Sequence, residues 1–178
     1  GGGALMTLAG HAERVASGAG REPRGKERAL RNALNGVFGD ALADAGHPMA
    51  IAMGFHAAGQ PMALDGPAPA ALHERTALFI HGLACDEHSW LLPTDAWAAS
   101  PWAATLPTSQ RLHYGALLEH ELGFSTVFLR YNSGLPIAEN AVELAAQLER
   151  LAQVAPQVRE FVLVGHSMGG LVARQACE

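Results

Sequence analysis

The chain has 178 residues, of which 49% are hydrophobic and 16% charged, with a formal net charge of −5. This is enough apolar sequence for one domain with a sizeable core. The acidic balance excludes the clustered Lys and Arg of a nucleic-acid-binding face. The two cysteines, Cys85 and Cys177, fit no metal or redox spacing.

No apolar run reaches the roughly 18 residues of a membrane-spanning helix. No secretory leader is legible, so a cytoplasmic location is the default expectation, although the chain opens on Gly-Gly-Gly and its true start is expected to lie upstream. The short basic stretch 21–28 reads as a solvated helix start.

In chain order, residues 1–20 are rich in Ala and Gly and read as a frayed helix. Leu30, Ala33, Leu34, Val37, Phe38, Ala41, Leu42 and Ala45 follow helical spacing, which predicts an apolar stripe. Gly46 and Pro48 stop that helix. Gly36 and Gly39 weaken it by about 1 kcal/mol each relative to Ala and suit close packing against another element.

Residues 49–56 and 61–64 flank "AAGQ" and read as a β-hairpin. "DGPAPA" at 65–70 is a linker. "TALFI" at 76–80 is a continuous apolar run, as in a strand buried on both faces. An irregular stretch follows that holds Trp90, Trp97 and Trp102. "TSQRLHYGALLEHELG" predicts a helix capped by Thr108 or Ser109 and stopped by Gly123.

"TVFLRY" at 126–131 is a second buried-type strand. Ala141, Leu144, Ala145, Leu148, Leu151 and Ala152 stripe the next helix. "EFVLVG" at 160–165 is a third strand, and "MGGLVARQA" starts a helix. Alternating strands and helices of this kind specify an α/β fold, a mostly parallel sheet flanked by helices. The division expected is an N-terminal helical segment, 1–48, and an α/β unit, 49–178.

The chemistry concentrates at "GHSMGG". Ser167 sits between Gly165 and Gly169 directly after an apolar strand. Serine is a weak nucleophile that needs exposure, a base and a base-orienting acid. The G-x-S-x-G bend supplies the exposure, and the helix start beyond it adds free N–H groups with a partial positive charge. The Met168 N–H would then face a developing oxyanion. His81 and Gly82 end the strand at 76–80, where a second donor, the Leu83 N–H, is commonly found. The bland alternative is a strand–helix turn with packing glycines and an idle serine.

Taken together, "LFIHGL", "RYNSG" and "LVGHSMGGLVAR" resemble the α/β-hydrolase superfamily, and within it bacterial lipase- or esterase-like members related to the GPI inositol-deacylase group. The resemblance covers residues 76–174. It implies that Ser167 is the nucleophile, that Leu83 and Met168 donate the oxyanion N–H groups, and that His81, Gly82, Gly165, His166 and Gly169 shape the turns around them. It implies serine-dependent hydrolysis of carboxylic esters of a small-molecule or lipid type, with no metal or organic cofactor. The Trp-rich segment after Gly82 could line an acyl pocket. Contact of the N-terminal helices with a membrane surface or partner stays open. So do amide or thioester hydrolysis, acyl transfer and a non-catalytic scaffold on the same fold.

In this superfamily the acid and then the histidine follow the serine. The eleven residues after Ser167 contain no Asp and no His, and their one acid is Glu178 in the helix itself. His81, His88, His113 and His120 all precede the serine and read as loop or helix residues. Asp86, Glu87 and His88 fit no zinc spacing and read as loop chemistry. The expectation is a partial hydrolase fold that breaks off after the nucleophile turn. Such a chain would be inactive alone, with its strand at 160–165, the fifth counting the hairpin, left as an exposed edge.

Overall fold

The computed structural model describes residues 25–66, 72–91 and 113–178. Among these residues five strands form one sheet in the order β2-β1-β4-β3-β5, flanked by four helices. Helix α1 spans Lys26–Asp44. Strands β1 (Gly54–Ala57) and β2 (Gln60–Met62) form the hairpin, and β3 (Arg75–Ile80) lies in the centre. Then come α2 (Tyr114–Leu122), β4 (Ser125–Arg130), α3 (Ile137–Val154), β5 (Glu160–Gly165) and α4 (Met168–Ala176). The three apolar runs read from the sequence are β3, β4 and β5, and they pair in parallel, Leu78 lying between Val127 and Leu163.

The period of two along each strand divides the core. Leu78 and Ile80 of β3, with Val127 and Leu129 of β4, face α3 and α4 together with Leu144, Leu151 and Val172. Ala77, Phe79 and Phe128 face the other way, against Phe124, Leu118 and Trp90. Phe79 stacks on Phe128 at 5.2 Å and meets Trp90 edge-on at 5.0 Å. β3 is buried over five of its six positions because it lies between β4 and β5. β5 pairs with β3 alone among the described strands, and its residues 161–164 are only partly buried.

The hairpin is shorter than its sequence reading. Ala58 and Gly59, both at positive φ (49° and 75°), form a two-residue turn that joins β1 to β2 antiparallel. Pro61 sits on β2, the edge strand, where its missing N–H breaks no inner ladder. Met49 and Ile51 are buried but lie outside the strand. Asn35 explains this: its amide donates to the Met49 carbonyl at 2.8 Å and accepts from the Ile51 N–H at 2.9 Å. One side chain thus takes the place of a strand partner.

Helix α1 overturns the apolar stripe expected of it. Val37 and Phe38 are 70% and 50% exposed. The buried face carries Asn32, Asn35 and Gly39 instead. The reason is what α1 packs on, which is not the apolar core but the loops that leave β3 and β4. A β-carbon on Gly36 would lie 2.7 Å from Ala84 Cβ, and one on Gly39 would lie 2.8 Å from Gly134 Cα. The two glycines therefore do permit the close approach that their positions suggested. Asn132 Nδ2 donates to the Gly39 carbonyl at 2.8 Å. On α3 the stripe holds, except that Ala152 is exposed. Buried Asn140 joins that face and donates to the carbonyls of Asn132 and Leu135.

Thr108 and Ser109, expected to cap α2, lie outside the described residues. The described helix begins at Tyr114, and His113 caps it, its Nδ1 accepting from the Ala116 N–H at 2.9 Å. Gly123 ends it in the left-handed conformation, as read from the sequence. The linker 65–70 and the frayed helix 1–20 also fall mostly or wholly outside the described residues.

Two outcomes test this packing. A β-carbon on Gly134 would sit 2.0 Å from the Asn35 carbonyl oxygen. Gly134→Ala should therefore cost about 1–3 kcal/mol in urea unfolding, whereas Gly54→Ala, with open space around it, should be near neutral. Burial holds the His113 pKa below its ordinary value, against the pull of Glu119. The unfolded chain therefore binds that proton more readily, and stability is full above about pH 6.5 and falls as the pH drops below it. His113→Asn keeps a good cap and should reduce the loss of urea midpoint between pH 7 and pH 5.

Candidate active site

Ser167 lies at the joint between β5 and α4 with φ 54° and ψ −125°. A side chain at positive φ is strained, and such strain persists only where the surroundings fix it. Here the two arms of the bend fix it. A β-carbon on Gly165 would come 2.5 Å from Gly170 Cα. Gly169 is small for another reason. Its hypothetical β-carbon would lie 2.3 Å from the carbonyl oxygen of Ile80 and 2.4 Å from that of His81, so the limit comes from β3 and not from the other arm. The His166 N–H donates to the Ile80 carbonyl at 2.9 Å and closes the contact.

This contact sets the bend against the turn after β3. A β-carbon on Gly82 would lie 3.2 Å from both Ser167 Cβ and His166 Nδ1. Ser167 and His166 are exposed, and Gly169 is buried. Met168 is the first residue of α4, where an N–H has no intrahelical acceptor. The Leu83 N–H has no hydrogen-bond partner among the described residues, and the Leu83 side chain is 55% exposed. Ser167, Leu83 and Met168 therefore lie on two adjoining turns, at the ends of neighbouring parallel strands.

His81 is fully buried. Its Nδ1 lies 2.8 Å from the Gly82 carbonyl, so that nitrogen carries the proton, and its Nε2 has no partner among the described residues. Burial lowers its pKa, outweighing the Gly82 hydrogen bond and the nearby carboxylates. The ring is neutral. It stacks on Tyr131 at 4.4 Å, and the Tyr131 hydroxyl donates to the His81 carbonyl at 2.8 Å. Burial raises the Tyr131 pKa, so this hydroxyl keeps its proton.

The other histidines weighed as a base are engaged elsewhere. His113 caps α2, His120 lies beside Glu121 at 3.2 Å, and the His166 ring sits edge-on to Trp90 at 6.3 Å. His88 lies 3.5 Å from Asp86 and 3.4 Å from Glu87. Among the described residues no side chain hydrogen-bonds the Ser167 hydroxyl.

Asp86, Glu87 and His88 bring their donor atoms within 4.8 Å of one another. Both carboxylates are nonetheless taken up by the fold. Asp86 accepts from Asn32 Nδ2 at 2.7 Å, pairs with Arg28 Nε at 3.1 Å and caps the short helix Glu87–Trp90 through the His88 N–H. Glu87 accepts from both Nε and Nη2 of Arg130. Burial opposes ionisation of Asp86, yet the hydrogen bonds from His88 and Asn32 hold its carboxyl well below the usual range. Glu87 is lowered likewise, burial being outweighed by Arg130.

Of the Trp-rich segment only Trp90 lies among the described residues, and it packs on Phe79. The cavity of about 560 Å³ beside α2 is lined by His56, His113, Phe124 and Phe128 among others, and by neither Ser167 nor Leu83. Reading the sequence missed Tyr131, Ser133 and Asn32. The first two lie in the quoted "RYNSG", and Asn32 gave no signal because its neighbours were read for apolar spacing.

The fold and the site define an α/β protein with a serine presented at a strand–helix bend. The alpha/beta hydrolase family model matches residues 77–177, and the chain belongs to that family. No curated protein and no solved structure matches it.

The site makes one steric forecast. Gly169→Ala, pressed against two backbone carbonyls, should destabilise the chain by about 1–3 kcal/mol. Gly170→Ala, whose β-carbon would come no nearer than 3.7 Å to the Gly165 carbonyl oxygen, should leave the urea midpoint nearly unchanged.

Proposed function

We propose that this chain carries the nucleophile and oxyanion donors of a serine hydrolase acting on carboxylic esters. The observation that supports this most is the backbone of Ser167, a non-glycine residue at φ 54° between a buried-type strand and a helix start. Ala58 and Ala84 also have positive φ; what supports the reading is the ψ of −125° beside it, outside the left-handed helical region. A nucleophile has a use for this strain, because the bend lifts the hydroxyl clear of both arms.

In this reading Ser167 attacks the ester carbonyl and gives up its proton to a base. The carbonyl oxygen takes the negative charge and is held by the N–H groups of Leu83 and Met168. Collapse of the intermediate expels the alcohol and leaves a seryl ester for water to release. His81, Gly82, Gly165, His166 and Gly169 shape the two turns. The base and its acid are not assigned to residues of this chain. A lipid or acyl ester is the substrate class the sequence resemblance favours, including its likeness to the GPI inositol-deacylase group. The exposed Leu83 side chain, on the turn that adjoins the serine's, supports an apolar substrate portion.

The rival reading is a non-catalytic scaffold that keeps the bend. A fluorophosphonate probe decides between them. Applied to the intact gene product, it should label Ser167 and no other serine, and Ser167→Ala should abolish both labelling and p-nitrophenyl ester turnover. An unlabelled Ser167 in folded protein would favour the scaffold.

A further inference from the structure

Helix α1 precedes the region matched by the family model, yet it touches the turn that carries Leu83. Arg28, Asn32 and Gly36, spaced four residues apart on one face, run along residues 84–86. Arg28 and Asn32 both reach Asp86 Oδ2, at 3.1 and 2.7 Å. Gly36 lets Ala84 lie flat against the helix. Ala84 has φ 54°, a strained value for a residue with a β-carbon, and its N–H donates to Ser133 Oγ at 2.9 Å.

The segment 81–86 is therefore clamped at both ends. His81 holds it upstream through Tyr131 and the Gly82 carbonyl. Asp86, 5% exposed, holds it downstream. Leu83 lies between the clamps, and its N–H is uncommitted among the described residues.

We propose that α1 is a brace for the oxyanion turn, with Asp86 as its positioning residue. A buried carboxylate stays put only while its donors are in place. Losing Arg28 and Asn32 would release the downstream end of the turn, and the Leu83 N–H would lose its aim at the oxyanion. The catalytic half of this proposal rests on the ester-hydrolase reading above, and the structural half does not.

Amide hydrogen exchange in the full chain, read by mass spectrometry, tests the brace directly. In an Arg28→Ala/Asn32→Ala variant, amides 82–86 should exchange about tenfold faster while β5 stays within about twofold. Arg28→Lys, which keeps a cation beside Asp86, should retain most of the protection. Unchanged exchange at 82–86, or an equal rise across β5, would overturn the proposal.

Turnover of the intact gene product supplies the second readout. A misplaced donor should lower kcat about tenfold with KM within about twofold, since the oxyanion forms only in the transition state. If Ser167→Ala keeps full turnover, the ester-hydrolase reading fails and the exchange result still decides the brace. If Ser167→Ala is dead but the double variant keeps its kcat, the brace has no catalytic part and that half fails alone.

Discussion

How close α4 comes to β3 decides where the serine stands. The carbonyls of Ile80 and His81 leave room only for a hydrogen atom on Gly169. With the helix that close, the bend from β5 must be sharp, and Gly165 must meet Gly170 across it. The same approach brings Ser167 beside Gly82, so that one contact between a helix and its neighbouring strand aligns two turns. The sheet's parallel register supplies the rest, since Ile80 pairs with Gly165 at the ends of both strands.

The ends of β3 and β4 are polar where the sheet between them is apolar. Tyr131, Asn132 and Ser133 of the second loop hold backbone groups of the first loop, of α1 and of their own turn. Buried polar groups of this kind are costly unless paired, and pairing fixes geometry more sharply than apolar contact does. The Arg130–Glu87 and Arg28–Asp86 pairs extend the arrangement outward. The loops at the ends of these strands are thus held by hydrogen bonding, as the proposed oxyanion turn would need.

The strands were legible because burial on both faces demands continuous apolar runs, and 76–80, 126–131 and 160–165 show them within a residue of their observed bounds. The serine bend was legible because glycine spacing encodes close approach. Which neighbour each glycine meets was not, since Gly169 faces a strand more than eighty residues earlier in the chain. The helix α1 misled for a related reason. Periodicity reports which residues could line a core, and α1 packs on loops whose exposed carbonyls select Asn over Leu. The hairpin ran short because Asn35 gives Met49 and Ile51 their hydrogen bonds from a helix, a contact between side chain and backbone that no alternation pattern records.

The polar seat of α1 has a thermodynamic consequence. Val37 and Phe38 already face water, and the buried face is amide and glycine. Lifting the helix off would expose little new hydrocarbon, so its detachment would carry a small heat-capacity change beside that of the sheet. Helix and sheet would then respond differently to temperature. Cooling weakens apolar burial more than hydrogen bonding, and it is the sheet, not the helix on its edge, that feels the cold first.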